Sequence, residues 1–282
     1  MKRLVPSSLV VMFVLCAACS ALPTSEETAI SSPIIGGSLA TSYPEAALVT
    51  MTRAGSAYEC SGAVIAPRVV LTAGHCVAGM DSWTVTAPFV ADRQVRGLGE
   101  VFDYVDDGSD SVHPAQHDVG LIYLDEPIVL DQYPVLADQP LPDGSTVVNI
   151  GRILDGQLSR SALFVSPLLT VVSAEPQGFP LHYVAREVIE QGDSGGPDVV
   201  PGTAPHVIVA VNSGAGGAEV LARVDQVKAW IDQRIAEHGG TQVTSERSAP
   251  AAEAGLPTAR RPREASPVLP PPGSPPPPYQ HW

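Results

Sequence analysis

From Ile34 onward the apolar residues come in short runs, each closed off by turn residues. Ala46-Ala47-Leu48-Val49, Ala63-Val64-Ile65, Val69-Val70-Leu71, Val119 to Leu124, Val147-Val148-Asn149-Ile150 and Val207-Ile208-Val209-Ala210-Val211 are the clearest. Runs of this length, rich in Val and Ile and bounded by Gly and Pro, read as β-strands of a sandwich or barrel. The composition agrees: 25 Gly and 28 Pro with only 5% aromatic residues suit many short strands joined by turns. With 44% apolar residues in 282, the chain can bury a sizeable core. One helix is expected near the end, where Val224, Val227, Ile231 and Ile235 repeat at helical spacing beside Trp230. Asp225 is its expected N-cap and Gly239 its stop.

The two ends have a different texture. Lys2 and Arg3, then the apolar stretch Leu9 to Leu15, then small residues at Ala17, Ala18, Ser20 and Ala21, have the pattern of an export signal over residues 1–19. The stretch is too short to span a bilayer. Cys16-Ala17-Ala18-Cys19-Ser20 resembles the bacterial lipoprotein signal, which implies lipidation of Cys19; ordinary cleavage after Ser20 or Ala21 is the alternative. Residues 20–33 are polar and serve as tether or propeptide. Residues 239–282 are rich in Ser, Ala, Glu and Pro, with Pro270-Pro271-Pro272 and Pro275 to Pro278, and are expected to form a disordered or polyproline-like spacer. The protein is therefore expected outside the cytoplasm, secreted or at the cell surface, as a monomer touching a membrane only through an N-terminal lipid.

The net charge of −14, from 30 acidic and 16 basic residues without a basic stripe, excludes nucleic acid as a partner. Of four cysteines, Cys16 and Cys19 belong to the signal. Cys60 and Cys76 remain as a pair that an oxidising compartment turns into a disulfide. Two Cys with one nearby His fall short of a zinc ligand set. The acidic residues Asp103, Asp106, Asp107 and Asp110 lack the spacing of a dedicated calcium loop and read as a solvated surface. No metal or other cofactor is expected.

Three separated segments carry chemistry. In Cys60-Ser61-Gly62-Ala63-Val64-Ile65, continuing to Leu71-Thr72-Ala73-Gly74-His75-Cys76, a histidine sits among small residues at a strand end. In His117-Asp118-Val119-Gly120-Leu121-Ile122-Tyr123-Leu124 an aspartate opens an apolar strand, where it can accept the Nδ1 proton of a histidine. In Gly192-Asp193-Ser194-Gly195-Gly196-Pro197 the glycines permit a tight turn that aims the N–H groups of Gly192 and Ser194 at one point, as an oxyanion hole requires. Each segment alone is also compatible with a merely structural turn. Their order, His75, Asp118, Ser194, differs from the Asp, His, Ser and Ser, Asp, His orders of two other convergent hydrolase solutions.

With that order, the segments "CSGAVIAPRVVLTAGHC", "HDVGLIYL" and "GDSGGP" resemble the three signatures of the trypsin/chymotrypsin-like serine proteases. "IIGG" at 34–37 resembles the mature N-terminus of that family, and "VVNIGR" at 147–152 and "VNSGAGG" with "LARV" resemble its second-barrel strands. The resemblance spans about residues 34–238 and implies two six-stranded antiparallel β-barrels with a C-terminal helix. It further implies that His75 is the general base, Asp118 its orienting partner and Ser194 the nucleophile, acting on protein or peptide substrates. It also implies that Asp193 pairs with the α-amino group of Ile34 once the propeptide is removed.

This sequence departs from the family in two places. Ser32-Pro33 precedes Ile34 where the family has Arg or Lys, so a different protease must cut there. The expected substrate pocket comprises Val188, Ile189, Ser213, Gly214 and Glu219, with Val188 where trypsin-like members have Asp. Ser213 is expected on the pocket wall in place of a Trp. Glu219 aligns with the pocket floor, where it would attract Lys or Arg; an exposed loop Glu is the plainer expectation. The rival to catalysis is a silent protease-fold binding protein at the cell surface.

Overall fold

The structure, a computed structural model, describes residues 37–240 and 279–281. The export signal with Cys19, the tether, Ile34 and residues 241–278 of the expected spacer lie outside the described residues.

Six strands build a first closed antiparallel barrel: β1 (Ala46–Arg53), β2 (Ser56–Ala66), β3 (Val69–Thr72), β4 (Ser82–Ala87), β5 (Ala91–Val101) and β6 (Gly120–Leu124). They run in the order β1-β2-β3-β6-β5-β4, and β4 pairs back onto β1. Six more build the second: β7 (Ser145–Gly151), β8 (Leu169–Ser173), β9 (His182–Ala185), β10 (Pro197–Val200), β11 (Val207–Ala215) and β12 (Glu219–Arg223). Their order is β7-β8-β9-β12-β11-β10, closed by pairing of β10 with β7. Two antiparallel barrels and a C-terminal helix are thus the architecture that the sequence implies.

Successive side chains of a strand point to opposite faces, and here both faces are covered. Ala47 and Val49 point into the first barrel beside Val64, Val70 and Ile122. Leu48, between them, joins a second cluster with Ile65, Leu71, Leu121, Ile150, Val199 and Val211, which seals the barrels against each other. Val147, Leu169, Val171, Val209 and Leu221 fill the second barrel. Burial on both faces is why the runs read as continuously apolar rather than alternating.

The helix α1 (Lys228–His238) docks Ile231 into the cluster between the barrels. It begins later than expected. Asp225 does not cap it: its carboxylate accepts two hydrogen bonds from the Arg223 guanidinium, and Val227 holds the N-cap position without a side-chain bond. Gly239 ends it as expected, its N–H donating to Ile235 O.

The expected spacer also ends differently. Tyr279 is buried, and Tyr279–His281 pair with two segments of the folded body rather than hanging free.

Candidate active site

The turn after β3 and the residues before β6 bring the first two candidates together. The His75 backbone N–H donates to Asp118 Oδ1 at 2.8 Å, and its Nδ1 lies 2.8 Å from Asp118 Oδ2. One carboxylate oxygen holds the backbone and the other the ring, so the imidazole is fixed in orientation and its Nδ1–H tautomer is specified. His75 Nε2 has no hydrogen-bond partner. The Ser213 hydroxyl donates to Asp118 Oδ2 at 2.6 Å, so the residue expected on the pocket wall is spent instead on the aspartate. Burial of Asp118 opposes its ionisation. The neighbouring His75 and His281 and the hydrogen bonds from His75 and Ser213 outweigh that, and hold its carboxyl below the usual range.

Ser194 comes from the turn before β10, on the second barrel. Its carbonyl accepts the Ser61 N–H at 2.8 Å and lies 3.8 Å from Cys76 Sγ, which sets the turn beside the segment that carries His75. Cys60 and Cys76 form the expected disulfide, so neither is a metal ligand. The turn has no room for larger residues. Gly195 has φ +78°, and a Cβ there would meet Thr72 Oγ1 at 2.1 Å. The Gly192 carbonyl accepts the Ser61 hydroxyl at 3.0 Å, and Gly192 lines the same cleft as His75.

Asp193 turns away from the cleft. Its Oδ1 accepts the N–H groups of Arg152 and Ile153, and its Oδ2 accepts the Glu190 N–H. Burial raises its pKa from 3.8 to about 7 despite these bonds. Arg152 itself was not singled out from sequence. Its buried guanidinium donates to the carbonyls of Val49, Cys60 and Ser159, tying the second barrel to the first.

Val188, Ile189 and Glu219 are all buried, so Glu219 is not an exposed loop residue. Its Oε2 accepts the Val188 N–H at 3.0 Å while Oε1 has no partner. Burial raises Glu219 to about 8, and burial with the nearby Glu219 raises Asp198 well above the carboxylate range. The acidic surface residues have other uses: Asp106 pairs with Arg53 at 2.6 Å and Asp103 with His117 at 2.7 Å.

The cleft also contains residues that sequence reading missed. Tyr104 lines it, and Tyr104, Val112 and Phe179 all contact the C-terminal segment. Gly214, expected in the pocket, contacts that segment too: a Cβ at Gly214 would lie 2.1 Å from Gln280 O. The sequence signal was the ending itself, Tyr279-Gln280-His281-Trp282, aromatic residues and a histidine closing a proline run.

Chemically, the arrangement offers a fixed imidazole with an unpartnered Nε2, a buried carboxylate behind it and a serine on a glycine-held turn beside it.

The fold has solved counterparts. One, titled HL collagenase, superposes with a TM-score of 0.60 at 18% identity, over 71% of this chain and 96% of that one. Another, titled human heparin binding protein, has a TM-score of 0.54 at 22% identity, over 77% of this chain and 99% of that one. At these identities they speak for the fold alone. The family model for trypsin matches residues 34–231. The chain belongs to the trypsin family and has a serine protease fold.

Proposed function

We propose that this protein is a serine endopeptidase with His75, Asp118 and Ser194 as its catalytic residues. The observation that carries the reading is the double hold of buried Asp118 on His75, which leaves Nε2 without a hydrogen-bond partner beside the Ser194 turn. Ser194 Oγ attacks the scissile carbonyl carbon while its proton passes to His75 Nε2. The oxyanion that forms is received by the N–H groups of Gly192 and Ser194. Collapse breaks the C–N bond, and the leaving amine takes the proton from His75. Water then attacks the acyl-enzyme, giving its proton to His75, which returns it to Ser194 Oγ as the acid product leaves.

Asp118 acts through position and charge. It fixes the tautomer and stabilises the imidazolium formed at each step. In the same reading, cleavage after Pro33 gives Ile34 a free α-amino group that pairs with Asp193. A cation there would offset the burial that raises Asp193. In this reading the buried Glu219, held by the Val188 N–H and with Oε1 unpartnered, is the group that receives Lys or Arg side chains of the substrate. The substrates are proteins or peptides. The Cys60–Cys76 disulfide fits an oxidising compartment, in keeping with export and, if Cys19 is lipidated, with an anchored form.

A fluorophosphonate probe tests the central claim. Correctly processed protein should be labelled at Ser194 and should hydrolyse peptide esters, and Ser194→Ala should lose both. Folded protein that takes no label at Ser194 would end the reading. The rival, a silent protease-fold binding protein, is favoured by one observation: the cleft is partly filled by the chain's own residues. The relative titled heparin binding protein shares this fold, although a net charge of −14 makes a polyanion a poor partner here.

A further inference from the structure

Residues Tyr279–His281 run through the groove in front of His75 as a central strand between two edges. On one side Gln280 pairs reciprocally with Ala215 at the end of β11, N–H to carbonyl in both directions at 2.9 Å. On the other, the Val112 N–H donates to Tyr279 O at 2.9 Å and the His281 N–H donates to Asp110 O at 2.7 Å. Gln280 therefore bridges Ser111 and Ala215 in antiparallel register. Each exposed edge would otherwise present unpaired backbone groups.

The side chains are held as firmly as the backbone. Tyr279 is 1% exposed and packs edge-on against Phe179 at 5.0 Å, in a cluster with Val112, Ala174, Val184 and Val220. The His281 ring lies 4.3 Å from that of His75. Its Nδ1–H donates to Ser213 O at 3.0 Å, and its Nε2 accepts the Tyr104 hydroxyl at 3.1 Å. The bare Cα of Gly214 makes the backbone approach of Gln280 possible. The groove is thus built for an extended peptide with an aromatic residue and, two positions on, a histidine.

We propose that the Tyr279–His281 segment is an intramolecular ligand of the substrate groove, bound by its own chain and displaced before a protein substrate can enter. The proposal rests on the endopeptidase reading for its consequence, autoinhibition, but not for the binding itself. Residues 241–278 join the segment to the barrel, a connection long enough for closure within one chain. Such a tether supplies an effective concentration on the order of millimolar, which fills a groove of modest intrinsic affinity. The same contacts define what competes: a peptide carrying Tyr-x-His, or an aromatic residue and a flat polar ring at that spacing.

The test compares the full chain with Gln280→Pro, which removes the N–H given to Ala215 O, and with Tyr279→Ser, which empties the aromatic pocket. The probe is a dye-labelled peptide of sequence Pro-Tyr-Gln-His-Trp, read by fluorescence anisotropy. We expect it to bind either variant at least about tenfold more tightly than the full chain, and peptide-ester kcat/KM to rise about tenfold, mainly through KM. Two variants with independent lesions keep the test sound should one fail to fold. Equal binding to all three proteins, or binding to none, would overturn the proposal. So would release that depends on protein concentration, since it would assign the occupant to a second copy. If the variants bind the peptide but take no fluorophosphonate at Ser194, the endopeptidase reading fails and the groove assignment stands. If they are labelled and active but bind no peptide, the reverse holds.

Discussion

Asp118 concentrates the residue-scale chemistry, because one buried carboxylate holds His75 at two points and takes a third bond from Ser213. These bonds separate two mutations. Asp118→Asn reverses the donor that His75 Nδ1 faces and selects the wrong tautomer, so kcat should fall about 10⁴-fold, as in other triads of this kind. Ser213→Ala removes one of the bonds to the carboxylate and leaves the tautomer intact, so its kcat should fall by only about tenfold. Steady-state kinetics on a peptide ester measures both, and equal losses would show that Ser213 does more than hold Asp118. The candidate triad was legible in sequence because each member sits in a segment whose neighbours are local. Ser213 was misread because its role depends on which face of β11 meets Asp118, 95 residues away. Glu219 was legible as a position and not as an environment, since its burial comes from β12 pairing with β9.

At the scale of elements, the strands were legible because Val/Ile runs ended by Gly and Pro have few other uses. Their closure into barrels was not, since β4 on β1 and β10 on β7 are long-range pairings that came only through resemblance to a family. The helix illustrates the limit of local signals: Asp225 suits an N-cap, but the Arg223 guanidinium two residues back claims it first. The disulfide is the element-scale constraint with the clearest magnitude. It ties β2 to the turn that carries His75 across a sequence separation of 16. A loop of that size stabilises the fold by about 3 kcal/mol in the chain-entropy model. The double variant Cys60→Ala/Cys76→Ala should therefore unfold at lower urea, and an unchanged midpoint would refute the estimate. Its m-value should be equal or higher, because the unfolded chain is less compact without the cross-link. Because Ser194 O rests on Cys76 Sγ, the variant should lose activity before it loses fold.

Across the whole molecule, the buried acids and histidines set opposite dependences of stability on pH. Glu219 is raised from 4.5 to about 8 and Asp193 from 3.8 to about 7, and Asp198 is raised as well, all chiefly by burial. A group whose folded pKa is raised contributes stability that is complete below its unfolded pKa and is lost as pH rises through the folded one. His182, fully buried, is lowered to about 4, and burial lowers His281 too; their contribution is lost as pH falls below about 6.5. Between about pH 4.5 and 6.5 the two sets oppose each other. Above 6.5 the histidines are neutral in both states, and only the acids remain. Glu219 and Asp193 alone should then lower stability by roughly 2–3 kcal/mol between pH 6.5 and 8.5, at about 1.4 kcal/mol per unit for each acid still protonated in the fold. Asp198 adds to the decline in the same direction. Glu219→Gln should remove about 2 kcal/mol of that decline, its share over the interval up to its folded pKa. Urea unfolding at half-unit pH steps decides the matter. A flat or rising curve would mean that Glu219 is already ionised in the native state, with a cation at its open Oε1. That result would turn Glu219 from a group awaiting a basic side chain into one already satisfied, and with it would go the case for Lys or Arg as the preferred substrate residue.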